Sequence, residues 1–69
     1  MIRIGIAGYG NIGRGVEAAV TNAPDMEIAA VFTRRDPSSV TTVTGAKVLS
    51  YDTIASMTDD IDVVIICGG

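Results

Sequence analysis

The sequence predicts an α/β fold built on a parallel sheet, and three observations predict it. Short apolar segments alternate with helical or loop-like stretches, the first segment runs through a glycine-rich turn into an amphipathic helix, and the last segment is continuously apolar rather than alternating. Right-handed crossovers place such strands in the order 3-2-1-4, the first half of a doubly wound sheet. A length of 69 residues is about half of one ordinary domain. The expectation is therefore an N-terminal half-domain over residues 1–69, a fragment of a larger chain whose remaining sheet and substrate region are absent.

Ile2, Ile4 and Ile6 alternate with Arg3, Gly5 and Ala7, the period of a strand, so β1 runs from Ile2 to Ala7. Ile12, Val16, Ala19, Val20 and Ala23 then form a helical stripe, closed by Pro24, and give α1. Ile28 to Phe32 is apolar and too short for a helix, which makes it β2. Residues 33–45 are polar, rich in Ser and Thr and punctuated by Pro37 and Gly45, as expected of a loop over the sheet rim. Ala46 to Leu49 is a short β3, Asp52 is placed to cap a short helix over Thr53 to Met57, and Asp62 to Cys67 is β4. As the most hydrophobic strand at an edge of the sheet, β4 calls for cover that these residues do not supply.

Composition excludes several functions. Hydrophobic residues make up 48% and charged residues 19%, with mean hydropathy +0.42, which is too apolar for a disordered segment. Net charge is −3 with five basic residues, no footprint for a nucleic-acid duplex. The chain has no histidine, which removes the commonest general acid/base and most zinc sites, and its one cysteine closes no intrachain disulfide. No apolar run approaches the ~18 residues of a membrane span. Met1-Ile2-Arg3 enters patterned sequence without a signal peptide, so the expectation is a soluble cytoplasmic chain that starts at its true N-terminus, with no metal and no membrane or nucleic-acid partner.

Gly8-Tyr9-Gly10-Asn11-Ile12-Gly13 fits G-x-G-x-x-G, placed after a strand and at the start of a helix, the context this dinucleotide-binding motif of Rossmann folds requires. Gly8 makes the turn, Gly10 admits a pyrophosphate, and Gly13 lets α1 pack against the sheet. An acidic residue at the end of β2 would accept hydrogen bonds from a ribose 2′-hydroxyl, but that position holds Thr33-Arg34-Arg35. A hydroxyl and two guanidiniums suit a 2′-phosphate, so the cofactor expected is NADP. A solvated basic turn is the competing reading, and Asp36 could also neutralise one of the arginines. Cys67-Gly68-Gly69 ends β4 beside the switch point between β1 and β4, where the glycines leave room for the cofactor and Cys67 packs as a small hydrophobe. Arg14 and Glu17 can pair across a solvated helix face, and Asp59, Asp60 and Asp62 read as turn formation and solubility. Tyr9 could shield a phosphate or pack on α1.

GYGNIGR, NAPDMEIAAVFTRRDP and IDVVIICGG, in this order and spacing, resemble the N-terminal part of the meso-diaminopimelate dehydrogenases over essentially the whole chain. The resemblance implies an NADP-dependent oxidoreductase of lysine biosynthesis, a homodimer that reversibly deaminates meso-2,6-diaminopimelate to L-2-amino-6-oxopimelate. It places cofactor contacts on Tyr9, Gly10, Asn11 and Ile12, on Thr33, Arg34 and Arg35, and on Cys67, Gly68 and Gly69. No catalytic or substrate-binding residue carries over, so residues 1–69 alone are expected to be inactive. A nucleotide-sensing regulatory domain without chemistry and another NADP-dependent oxidoreductase are the alternatives, since fold does not fix function.

Overall fold

Four parallel strands lie in the order β3-β2-β1-β4 in the computed structural model, which describes residues 1–67. β1 spans Ile2–Ala7, α1 Asn11–Thr21, β2 Met26–Thr33, β3 Val48–Ser50 and β4 Val63–Ile66. The topology is the expected one, and the element bounds shift for local reasons. β2 begins earlier than its apolar run because Met26 and Glu27 already pair with Ile2 and Arg3. β3 sits later than expected, since only Val48 to Ser50 reach the end of β2. The helix stops at Thr21, before Ala23, where the Asn22 N–H still donates to Ala18 O but Pro24 has no N–H with which to continue. The expected helix over Thr53 to Met57 is a 3₁₀ segment, Tyr51–Met57, whose cap is the Ser50 hydroxyl rather than Asp52.

Both faces of the sheet are covered at its central strands, β1 and β2. On one, Ile4, Ile6 and Val31 pack with Tyr9 and with Val16 and Val20 of α1; on the other, Ala30 and Phe32 pack with Met57 and Ile61. A bulge separates these layers within β2, because Ile4 pairs with Ile28 while Gly5 pairs with Ala30. The extra residue lets Ile28 and Val31 serve the same face although they are three apart, which strict alternation forbids. β4 pairs with β1 on one side only, and Val63, Val64 and Ile66 are exposed.

The helical stripe differs from the expected one. Gly13, Glu17 and Val20 face inward with Val16 half-buried, whereas Ala19 is exposed and Ile12 is 69% exposed. The acidic turn before β4 also has a structural role beyond solubility. The Arg3 guanidinium donates from Nε and Nη2 to the Asp62 carboxylate at 3.2 and 3.1 Å and from Nη1 to Asp59 O at 2.9 Å, tying the starts of β1 and β4 together. The Arg3 side-chain and backbone hydrogen bonds hold the Asp62 carboxyl at about 2, below the usual carboxylate range.

Candidate functional site

Because all four strands are parallel, their C-terminal ends meet on one edge, and that edge carries a cleft of about 580 Å³. The turn after β1 lines it with Gly8, Tyr9, Gly10, Asn11 and Ile12; the end of β2 supplies Thr33, Arg34 and Arg35; the end of β3 supplies Tyr51; and the end of β4 supplies Cys67. Nine of the residues expected from sequence are thus brought together in one place. Gly13 lies just behind them in α1, and Gly68 and Gly69 fall outside the described residues.

The turn has the geometry its glycines imply. Gly8 has φ 100°, a left-handed conformation that a side chain would strain, and its N–H donates to Phe32 O at 2.9 Å. A Cβ on Gly13 would collide with the Gly8 carbonyl oxygen, so the close passage of α1 over the turn depends on its absence. A Cβ on Gly10, in contrast, would meet nothing within 4 Å, which leaves open space at the mouth of the helix. No side chain caps α1 and its first turn holds no acidic residue. Its first N–H groups therefore remain available to an anion, and the helix dipole favours one.

At the end of β2, Thr33 is buried and its Oγ1 accepts from the Arg35 N–H at 3.1 Å, closing a small turn. Arg35 Nη2 donates to Tyr9 O at 3.0 Å, which couples this corner to the glycine turn. Arg34 Cζ lies over the Tyr51 ring, 4.9 Å from its centroid. Asp36 does not neutralise either arginine, and both are exposed. Its carboxylate instead accepts from Ser38 N and Oγ at 3.0 and 2.9 Å and caps the 3₁₀ turn Pro37–Ser39. Two guanidiniums therefore stand at the cleft, and among the described residues the salt bridge is that of Arg3 with Asp62, on a different part of the sheet.

The expected Arg14–Glu17 surface pair is not made. Glu17 is 1% exposed, and one carboxylate oxygen accepts from Tyr9 OH at 2.5 Å while the other accepts from the N–H and hydroxyl of Thr44. Position 17 lies one helical turn beyond Gly13 and falls on the same inward face. Arg14 instead lies over the Tyr9 ring, 5.8 Å from its centroid. Tyr9 packs into the core while also lining the cleft: its ring is buried, and its hydroxyl also accepts from Val43 N–H at 3.1 Å. Burial raises the Glu17 carboxyl, but the hydrogen bonds from Thr44 and Tyr9 outweigh it and hold the group below its ordinary value, as an anion. Burial, then the contact with Glu17, pushes the Tyr9 phenol up, so it keeps the proton it donates.

This network ties the 42–46 loop to the glycine turn. Glu17→Ala would leave a phenol, a hydroxyl and an N–H without their acceptor, and is expected to cost about 3 kcal/mol of stability. Urea unfolding of the full-length protein carrying this segment checks it, and a loss under about 1 kcal/mol would mean that the loop and Tyr9 find other acceptors. With its folded-state pKa depressed, Glu17 contributes stability that is present above the unfolded value near ~4.3 and is lost as pH falls through the folded one.

Cys67 is half-buried, packs against the core and has its N–H bound to Ala7 O at 2.8 Å, which carries the β1–β4 pairing to the cleft. Tyr51 and Glu17 were not singled out for this region by the sequence pattern. The signal for Tyr51 is topological, since a third parallel strand must also end at this edge; for Glu17 it is helical phase.

A parallel sheet with a glycine turn feeding a helix at its switch point defines a dinucleotide-binding protein, and residues 2–69 match the oxidoreductase family with an NAD-binding Rossmann fold. The chain belongs to that family. Within it, the chain is similar to the meso-diaminopimelate D-dehydrogenase of Ureibacillus thermosphaericus, with 62% identity over 68 residues that make up 99% of this chain and 21% of that protein. Among solved structures, a variant meso-diaminopimelate dehydrogenase from Clostridium tetani with DAP superposes with TM-score 0.83 at 48% identity, over 100% of this chain and 21% of that one. An engineered D-amino acid dehydrogenase bound to NADP+ gives TM-score 0.84 at 38% identity, covering 99% of this chain and 20% of that one. The chain thus spans about a fifth of the length of the curated relatives it matches.

Proposed function

We propose that this chain is the cofactor-binding segment of an NADP-dependent dehydrogenase, and that the complete protein oxidatively deaminates the D-centre of meso-2,6-diaminopimelate. The observation that carries the reading is the pair Arg34 and Arg35 at the end of β2, in the same cleft as the Gly8 to Gly13 turn. The residues fit the cofactor in three ways. Gly10 leaves open space where a pyrophosphate must approach, the uncapped start of α1 offers N–H groups, and the β2 end presents guanidiniums in place of the carboxylate that would repel a 2′-phosphate.

When bound, NADP+ supplies the hydride acceptor. The residues of this chain hold and orient it: the turn takes the pyrophosphate, Arg34 and Arg35 the 2′-phosphate, and Cys67 borders the path across the β1–β4 switch point. In the overall reaction the α-carbon loses a hydride, water replaces the amino group, and ammonia and L-2-amino-6-oxopimelate are released with NADPH. Holding the amino acid against the nicotinamide requires groups outside residues 1–69. The chain's similarity to the Ureibacillus enzyme supports the substrate. A cytoplasmic homodimer is the assembly this reading implies.

Assay of the full-length protein with meso-diaminopimelate and NADP+ tests it through NADPH absorbance. Turnover is expected from the full-length protein and none from residues 1–69 alone. NADP+ binding without turnover would overturn the substrate assignment, and absence of NADP+ binding would overturn the cofactor assignment.

A further inference from the structure

Tyr51 is the cleft residue for which neither the glycine turn nor the β2 arginines account. It follows β3 directly, at the first position of the 3₁₀ segment, and packs against the second core cluster with Phe32, Met57 and Ile61. That packing fixes where its ring can sit. Over the ring lies Arg34, whose Cζ is 4.9 Å from the centroid. A cation held over an aromatic ring is attracted by the ring's quadrupole without spending its hydrogen bonds on a carbonyl or carboxylate, which leaves N–H donors of the guanidinium to another partner. Arg35 is placed differently, because one of its N–H groups is already given to Tyr9 O at 3.0 Å.

Resting on the NADP reading above, we infer that Tyr51 is a positioning residue for cofactor choice: it holds the Arg34 guanidinium at the corner of the cleft assigned to the 2′-phosphate and thereby sets the preference for NADP over NAD. The two arginines then divide the work. Arg34 presents most of the donors to the phosphate from a rigid aromatic platform, while Arg35 links the phosphate corner to the glycine turn. An unrestrained arginine side chain loses rotamer freedom on binding, and the platform removes part of that cost before the cofactor arrives. Since NAD carries a hydroxyl in place of the phosphate, the benefit falls on NADP alone.

The test is the dissociation constant of each cofactor for the full-length protein by titration calorimetry. Tyr51→Leu, which keeps apolar bulk against the core but removes the ring, is expected to weaken NADP+ binding roughly three- to tenfold and to leave NAD+ binding unchanged. Tyr51→Phe keeps the ring face and is expected to retain the wild-type ratio. In an Arg34→Ala background, Tyr51→Leu is expected to change the ratio no further, because the residue it positions is gone. Equal losses for both cofactors would make Tyr51 a wall for the shared nucleoside or a core residue, and an unchanged ratio in Tyr51→Leu would remove its role; either overturns the inference. A wild-type protein without preference for NADP+ would instead overturn the underlying cofactor reading, so the two failures are distinguishable.

Discussion

Gly13→Ala is expected to destabilise the full-length protein by roughly 3 kcal/mol and to remove most of its affinity for either dinucleotide. The added methyl meets the Gly8 carbonyl oxygen, which is backbone in the turn at φ 100° and not the far end of a flexible side chain. Relief requires α1 to lift away from the sheet or the turn to open, and each change moves the N–H groups that would face a pyrophosphate. Helix propensity works in the opposite direction by at most ~1 kcal/mol, because alanine is the better helix former. Gly15 provides the internal control. It lies in the same helix, and a methyl added there would have no neighbour within 4 Å, so Gly15→Ala is expected to stabilise by about 0.5–1 kcal/mol. Urea midpoints for the two variants decide the matter. A neutral or stabilising Gly13→Ala would mean that the approach of helix to turn is looser than described.

The sheet order and the location of the cleft were legible in the sequence because each rests on a strong local signal. Alternation at Ile2 to Ala7, the glycine spacing and the unbroken run at Val63 to Cys67 force a parallel arrangement, and a parallel sheet places its loops of one kind on one edge. What was not legible depends on tertiary context. Glu17 resembles a surface charge next to Arg14 until the 42–46 loop folds over it and brings Thr44 to its carboxylate. The bulge between Ile28 and Ala30 leaves no compositional mark, and it changes which residues of β2 share a face. Asp36 could equally face an arginine or close its own turn; the local hydrogen bonds to Ser38 win because they ask for almost no chain ordering. Tyr51 enters the cleft only because β3 ends one residue later than its apolar stretch suggests.

The largest effect on binding is expected from Arg34→Ala combined with Arg35→Ala. Each charged hydrogen bond to a phosphate contributes roughly 1.5–3 kcal/mol, so losing both is expected to weaken NADP+ binding by about two to four decades. NAD+ has no phosphate at that position but is otherwise the same molecule, including the pyrophosphate that the proposed reading assigns to the Gly8 to Gly13 turn, so its affinity is expected to change little. Added salt is expected to weaken wild-type NADP+ binding more than NAD+ binding, because the distinguishing contact is ionic and partly exposed to solvent. The most direct measurement is therefore the pair of dissociation constants, NADP+ and NAD+, for wild type and for this double variant of the full-length protein. A wild-type preference for NADP+ that collapses in the variant while NAD+ affinity persists is the predicted result; equal losses for the two cofactors would contradict the assignment of this corner to the 2′-phosphate.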